Sequence, residues 1–194
     1  MLWFLMKHDD GKNPHIRTGI ELTGGFQMKY KLTINMKSRR YPVIMESGLF
    51  RTIGKTLGEN FPGKKIALVT DNNLMTAYGE ILKKQLTASQ CEWEIITLPA
   101  GDASKSLDSL TYIYKKLIGF QLTRDDVIVS FGGGVIGDIS GFAASTFLRG
   151  VDFVQIPTTL IGQVDSSIGG KTAVNMAEGK NLIGTFYQPS YVYI

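Results

Sequence analysis

The stretch SFGGGVIGDISG, Ser130 to Gly141, decides the fold. The apolar run DDVIVSF leads into it and ends in three glycines. VIGDISGFAASTFL, rich in small residues, follows at helical spacing. The stretch therefore reads as a buried strand, a glycine turn and a helix. Gly132 to Gly137 satisfies G-x-G-x-x-G, the pattern with which a backbone cradles a dinucleotide diphosphate. Asp152 stands twenty residues after Gly132, the spacing of the acid that completes the pattern. Two features oppose that version. The pattern belongs to the first strand-to-helix turn of a dinucleotide fold, yet at least two such units precede Ser130. Asp152 also opens its strand, whereas the ligand lies at strand ends. Asp71, which closes the first buried strand, is the better acid, and it equally suits the N-cap of the next helix.

Working outward, the same alternation recurs. KYKLTINM and YPVIME alternate polar and apolar residues and read as strands. GLFRTIGKTLGEN has helical spacing. KKIALVTD is a nearly continuous apolar run, the mark of a strand buried on both faces. A helix (NNLMTAYGEILKKQLTA), a strand (EWEIITLP) and a helix (SLDSLTYIYKKLIGF) follow, and VDFVQIP is a further strand. Strands alternating with helices predict an α/β fold with a mainly parallel sheet flanked by helices. Beyond Pro157 the pattern fades into glycine-rich and polar chain, closing on the apolar piece YVYI.

The chain has 194 residues, 43% hydrophobic and 20% charged, the composition of a folded domain. Residues 28–194 read as that domain. Residues 1–27 read as an extension of doubtful role: the apolar run Met1 to Met6 is shorter than a secretory core and lacks a basic lead. The formal net charge of +4 is concentrated between Met28 and Lys65. No aromatic stacking pattern accompanies those cations, so no nucleic acid is expected. No apolar run is long enough to span a membrane. Cys91 is the only cysteine, which suits a reducing, cytoplasmic setting.

Ligands of open α/β sheets bind at strand carboxyl ends. Here those ends are Thr70-Asp71, Pro99 to Asp102, Gly132 to Gly134 and Pro157 to Thr159, all small or polar. Lys105, Arg149, Lys171 and Lys180 lie in or beside such stretches, a set of cations suited to an anionic substrate. DSSIGGKT falls short of a P-loop because Asp165 stands where a glycine is needed. The only histidines, His8 and His15, sit in the extension. No metal-ligand cluster and no Ser-His or Cys-His pair can be assembled from the rest.

FGGGVIGDISGFAAST, LRGVDFVQIPTTLIGQVDSSIGGKTAVN, GKNLIGTFYQP and LPAGDASKSL closely resemble the 3-dehydroquinate synthase family, collinearly from about Met28 to Ile194. The resemblance implies a Rossmann-like, mainly parallel sheet flanked by helices. It also implies NAD as cofactor and a sugar-phosphate substrate, 3-deoxy-arabino-heptulosonate 7-phosphate, converted to 3-dehydroquinate with loss of phosphate in the shikimate pathway. NAD contacts then fall on Asp71, Asn73, Asp102, Lys105, the run Gly133, Gly134, Val135, Ile136, Gly137 and Asp138, and on Thr158, Thr159, Lys171 and Lys180. Substrate contacts fall on Arg149, Asp165, Lys171, Lys180 and Asn181, with Arg149 reaching the neighbouring subunit of a homodimer. Asp102 departs from the family, which usually has glutamate there, so its reach is one methylene shorter. The family's zinc or other divalent metal is held by a glutamate and two histidines in a helical C-terminal domain, which would lie after Ile194. No metal ligand and no certain catalytic residue is therefore expected within this chain. The alternatives are an NAD-binding module without activity, from a truncated chain, or another sugar-phosphate cyclase.

Overall fold

The computed structural model describes residues 16–22, 28–36 and 39–194. Eight strands form one sheet in the order β1-β2-β3-β10-β7-β6-β4-β5. They are β1 (Ile16–Leu22), β2 (Met28–Asn35), β3 (Arg40–Glu46), β4 (Ile66–Asp71), β5 (Trp93–Leu98), β6 (Val127–Gly132), β7 (Asp152–Pro157) and β10 (Tyr191–Tyr193). The six from β3 to β5 in that order run parallel; β1 and β2 add an antiparallel margin. Ile16–Leu22, part of the segment set aside as an extension, thus supplies an edge strand paired with β2. Both histidines lie outside the described residues.

The apolar runs explain the sheet's centre. Every residue of β6 is buried, as are the first five of β4, because helices cover both faces. Leu49, Ile53, Leu57, Leu82 and Leu86 pack on one face, contributed by the turn after β3 and by α1 (Ile53–Asn60) and α2 (Asn72–Ala88). Leu110, Ile113, Leu117, Ile136, Ile139 and Ala143 pack on the other, from α3 (Leu107–Gly119) and α4 (Gly134–Thr146). β2 and β3 keep their alternation, burying Leu32, Ile34, Tyr41 and Val43 while Lys31 and Arg40 face water.

The stretch after Pro157 is not featureless. β8 (Lys171–Met176) and β9 (Gly179–Phe186) form an antiparallel hairpin outside the main sheet. It lies against α4, where a Cβ on Gly141 would stand 2.5 Å from the Thr172 methyl and 2.9 Å from the Phe153 ring. Only glycine permits that approach. β9 exposes most of its residues, so it carries no buried-strand signature in the sequence.

Candidate functional site

β5 follows β4 on one side of the sheet, and β6 then pairs with β4 on the other. The chain changes direction there, and a crevice opens between the carboxyl ends of β4 and β6, where open α/β sheets take ligands. The glycine turn stands at this point. β6 ends at Gly132, Gly133 is the N-cap with extended backbone, and α4 starts at Gly134. The amides of Gly134, Val135 and Ile136 have no intrahelical partner and no acidic side chain shares the first turn, so the helix end presents oriented donors and positive potential. The Gly137 amide is different: it donates to the Gly133 carbonyl at 3.0 Å. Gly137 is thus not a free ligand donor, and the Ile136 side chain is committed to the core. The walls of the turn are close. A Cβ on Gly133 would lie 3.0 Å from the Thr159 methyl, and one on Gly134 3.3 Å from Ser166 Oγ. Thr158 ties the β7 end to the turn by donating its amide to the Gly132 carbonyl at 3.0 Å.

Asp71 occupies the N-cap of α2 and accepts from the Leu74 amide at 2.9 Å, the capping role its sequence position allowed. Asn73 is exposed on the first turn of the same helix. Its neighbour Asn72, which no sequence pattern marked, accepts the Ala100 amide at 2.9 Å and joins the ends of β4 and β5. Asp152 opens β7, at the amino ends of the strands, away from the crevice. It is engaged by Arg39 at 2.7 Å and Ser190 at 3.0 Å, which explains why it is no ligand acid.

Beside the crevice the loop after β5, helix α4 and the hairpin meet in a polar cluster. Lys105 is buried; its Nζ pairs with Asp138 of α4 and donates to Asn181 Oδ1 of β9 at 2.5 Å. Lys180 pairs with Asp102 at 2.7 Å. Burial pushes the Asp138 carboxyl above the usual carboxylate range, with Lys105 pulling against it. Asp102 is held below that range, chiefly by its hydrogen bond from Lys180. Local sequence sets this up: Gly101, at φ 108°, turns the loop, and Ser106 caps α3.

Lys171 opens β8 and is exposed. Asp165 is exposed on a π-helical turn, Gly162–Ser166, a geometry that recurs at functional sites. Arg149 lies elsewhere. It sits in a left-handed turn (φ 66°) between α4 and the start of β7, so the full length of α4, about 20 Å at 1.5 Å per residue, separates it from the glycine turn. On the other flank of the crevice an apolar cavity of about 280 Å³ is lined by Phe50, Leu74, Tyr78, Phe131, Thr158 and others. Among the described residues no three His, Cys, Asp or Glu side chains gather as a metal site. Nor is any helix among them long and apolar enough to cross a membrane.

The family model described as 3-dehydroquinate synthase N-terminal matches residues 95–194, from β5 through the glycine turn and hairpin to the last residue. This chain belongs to the 3-dehydroquinate synthase family. It is 48% identical over 163 residues to the 3-dehydroquinate synthase of Clostridium beijerinckii, covering 84% of this chain and 47% of that relative. The chain therefore spans about half the length of the curated relatives it matches. Among solved structures it is similar to the 2-epi-5-epi-valiolone synthase of Streptomyces hygroscopicus, solved with NAD+ and Zn2+ bound. The TM-score is 0.73 at 30% identity, over 82% of this chain and 44% of that one. It shares its fold with 2-deoxy-scyllo-inosose synthase, at TM-score 0.76 and 23% identity over 84% of this chain and 45% of that one.

Proposed function

We propose that this chain is the dinucleotide-binding part of a 3-dehydroquinate synthase and that its crevice takes NAD. The observation that carries the reading is the glycine turn at the switch point, with open amides of α4 beside the buried Lys105–Asp138 pair. These residues fit the cofactor. The Gly134, Val135 and Ile136 amides suit a diphosphate. Asp71, Asn73 and Asp102 line the strand ends where ribose hydroxyls need acceptors. The apolar cavity accommodates a planar base. Bound NAD would supply transient oxidation of a ring hydroxyl, which acidifies the neighbouring C–H.

The protein's own groups hold the reactants. Lys171, Lys180, Asn181 and Asp165, on and before the hairpin, bind the anionic sugar phosphate, 3-deoxy-arabino-heptulosonate 7-phosphate, through charge-assisted hydrogen bonds. Arg149, a helix length from its own crevice, serves the crevice of a second copy in a homodimer, which sedimentation checks. A divalent metal belongs to this reading for the whole enzyme. The setting is cytoplasmic, and neither nucleic acid nor membrane takes part.

Calorimetry with NAD tests the cradle. Gly134→Val drives a branched side chain into Ser166 Oγ and should weaken binding at least about tenfold, the loss of one good anion contact. Unweakened binding in that variant sinks the assignment. Release of phosphate from the sugar phosphate is expected only when the second half of the relatives' length is supplied, in cis or in trans.

A further inference from the structure

We propose that Asn175 is the positioning residue of this crevice, a role that rests on the cofactor reading above. The hairpin is regular on either side of it. Val174 pairs with Ile183 and Met176 with Gly179, so Asn175 alone opposes Lys180, Asn181 and Leu182. The bulge is on β9, whose extra residues bend away from the ladder, and it leaves Asn175 without a ladder pair. Freed from β9, the Asn175 amide donates to the Lys105 carbonyl at 2.7 Å. Its side chain uses both ends of the carboxamide. Oδ1 accepts the amide of Asn181 at 3.1 Å, and Nδ2 donates to Asp102 Oδ2 at 3.4 Å. Asn181 adopts the left-handed conformation, φ 59°, which needs a local partner to hold it.

One half-buried residue, through its backbone N–H and its carboxamide, thus joins the two pieces of chain that carry Asp102 with Lys105 and Lys180 with Asn181. Asn181 in turn accepts from the Lys105 ammonium at 2.5 Å, and Lys180 reaches Asp102 at 2.7 Å. Every cation and acceptor of the polar cluster outside α4 is therefore set by Asn175 directly or at one remove. The chemistry demands a carboxamide. A carboxylate keeps the bond to Asn181 but loses the donor to Asp102 and adds like-charge repulsion. A hydroxyl cannot span both partners.

The test is a double-variant cycle read by NAD calorimetry. N175D is expected to weaken binding about tenfold. In N175D/D102N the carboxamide and the carboxylate trade places, so the donor now stands on the loop after β5 and the acceptor on β8. The loss should then be several-fold smaller than the product of the two single losses. A purely structural residue gives losses that multiply, and that result, or wild-type affinity in N175D, overturns the proposal. A second measurement needs no ligand. In N175A the Asn181 amide should lose protection from hydrogen exchange while the β4 and β6 amides keep theirs. Unchanged exchange at Asn181 overturns the Asn175 assignment whatever the chain binds. Failure of the wild type to bind NAD strikes the cofactor reading instead.

Discussion

At the scale of single residues, Lys105 has the most at stake. A buried ammonium is tolerated only with partners, and its Nζ has Asp138 and Asn181. Lys105→Met removes the charge and leaves the Asp138 carboxyl without its cation. The Asp138 pKa, already raised by burial, should rise further because the one opposing influence is gone. NAD binding should fall by on the order of tenfold or more. Carbon-detected titration of Asp138 and calorimetry check the two expectations separately. A carboxyl whose titration does not move would mean that Lys105 is not its partner in solution. Asp138 entered the sequence reading through the family resemblance of the stretch FGGGVIGDISGFAAST, not through the glycine pattern itself. Asn175 and Asn72 were not legible, because each pairs with the loop after β5, Asn175 with the Asp102 carboxylate and Asn72 with the Ala100 amide, and pairings so far apart in the chain leave no spacing to read.

At the scale of elements, the strands that are buried on both faces were legible and the hairpin was not. β4 and β6 show as apolar runs because helices cover both sides. β9 is mostly exposed and holds Gly179 and Gly184, so periodicity had nothing to register. Gly184 is required: a Cβ there would stand 2.2 Å from the Thr172 carbonyl. The start of β6 depends on a single carboxylate. Asp126 accepts the Lys65 amide at 2.7 Å, and the Thr123 amide and hydroxyl at 2.7 and 2.8 Å. Burial pushes its pKa up, but those donors together hold it below the usual range. Its stabilisation is therefore complete above the unfolded value, about 3.9, and is lost as pH falls through the lower folded value. Asp126→Asn should cost about 1–3 kcal/mol at neutral pH. It should also flatten the fall of stability below about pH 4. Urea titrations at neutral and acid pH measure both. An Asn variant as acid-sensitive as the wild type would refute the role.

At the scale of the whole molecule, the decisive placement is that of β10. Three residues long, it lies between β3 and β7 and joins the β1–β3 margin to the rest of the sheet. Val192 and Tyr193 are buried, and Ile194 exchanges backbone hydrogen bonds with β3, donating to the Ile44 carbonyl at 2.8 Å and accepting the Glu46 amide at 3.0 Å. Deleting residues 191–194 should abolish cooperative thermal unfolding and give aggregates on size exclusion, because it bares two long strand edges. A monomer with an unchanged melt would show that the two parts of the sheet hold together without it. The sequence marked YVYI as a last apolar piece and final strand but not its place between β3 and β7, since strand order is a property of the folded sheet and not of the local pattern.

That placement also sets a timetable. A polypeptide emerging from the ribosome at about 5–20 residues per second completes β3 and then waits on the order of ten seconds for its parallel neighbour. Through that interval the inner edge of β3, joined by that of β7 only for its last few seconds, is a template for strands of other nascent chains. Slowing translation between β7 and β10 should lower the yield of soluble protein in the cell and leave the stability of the folded molecule unchanged.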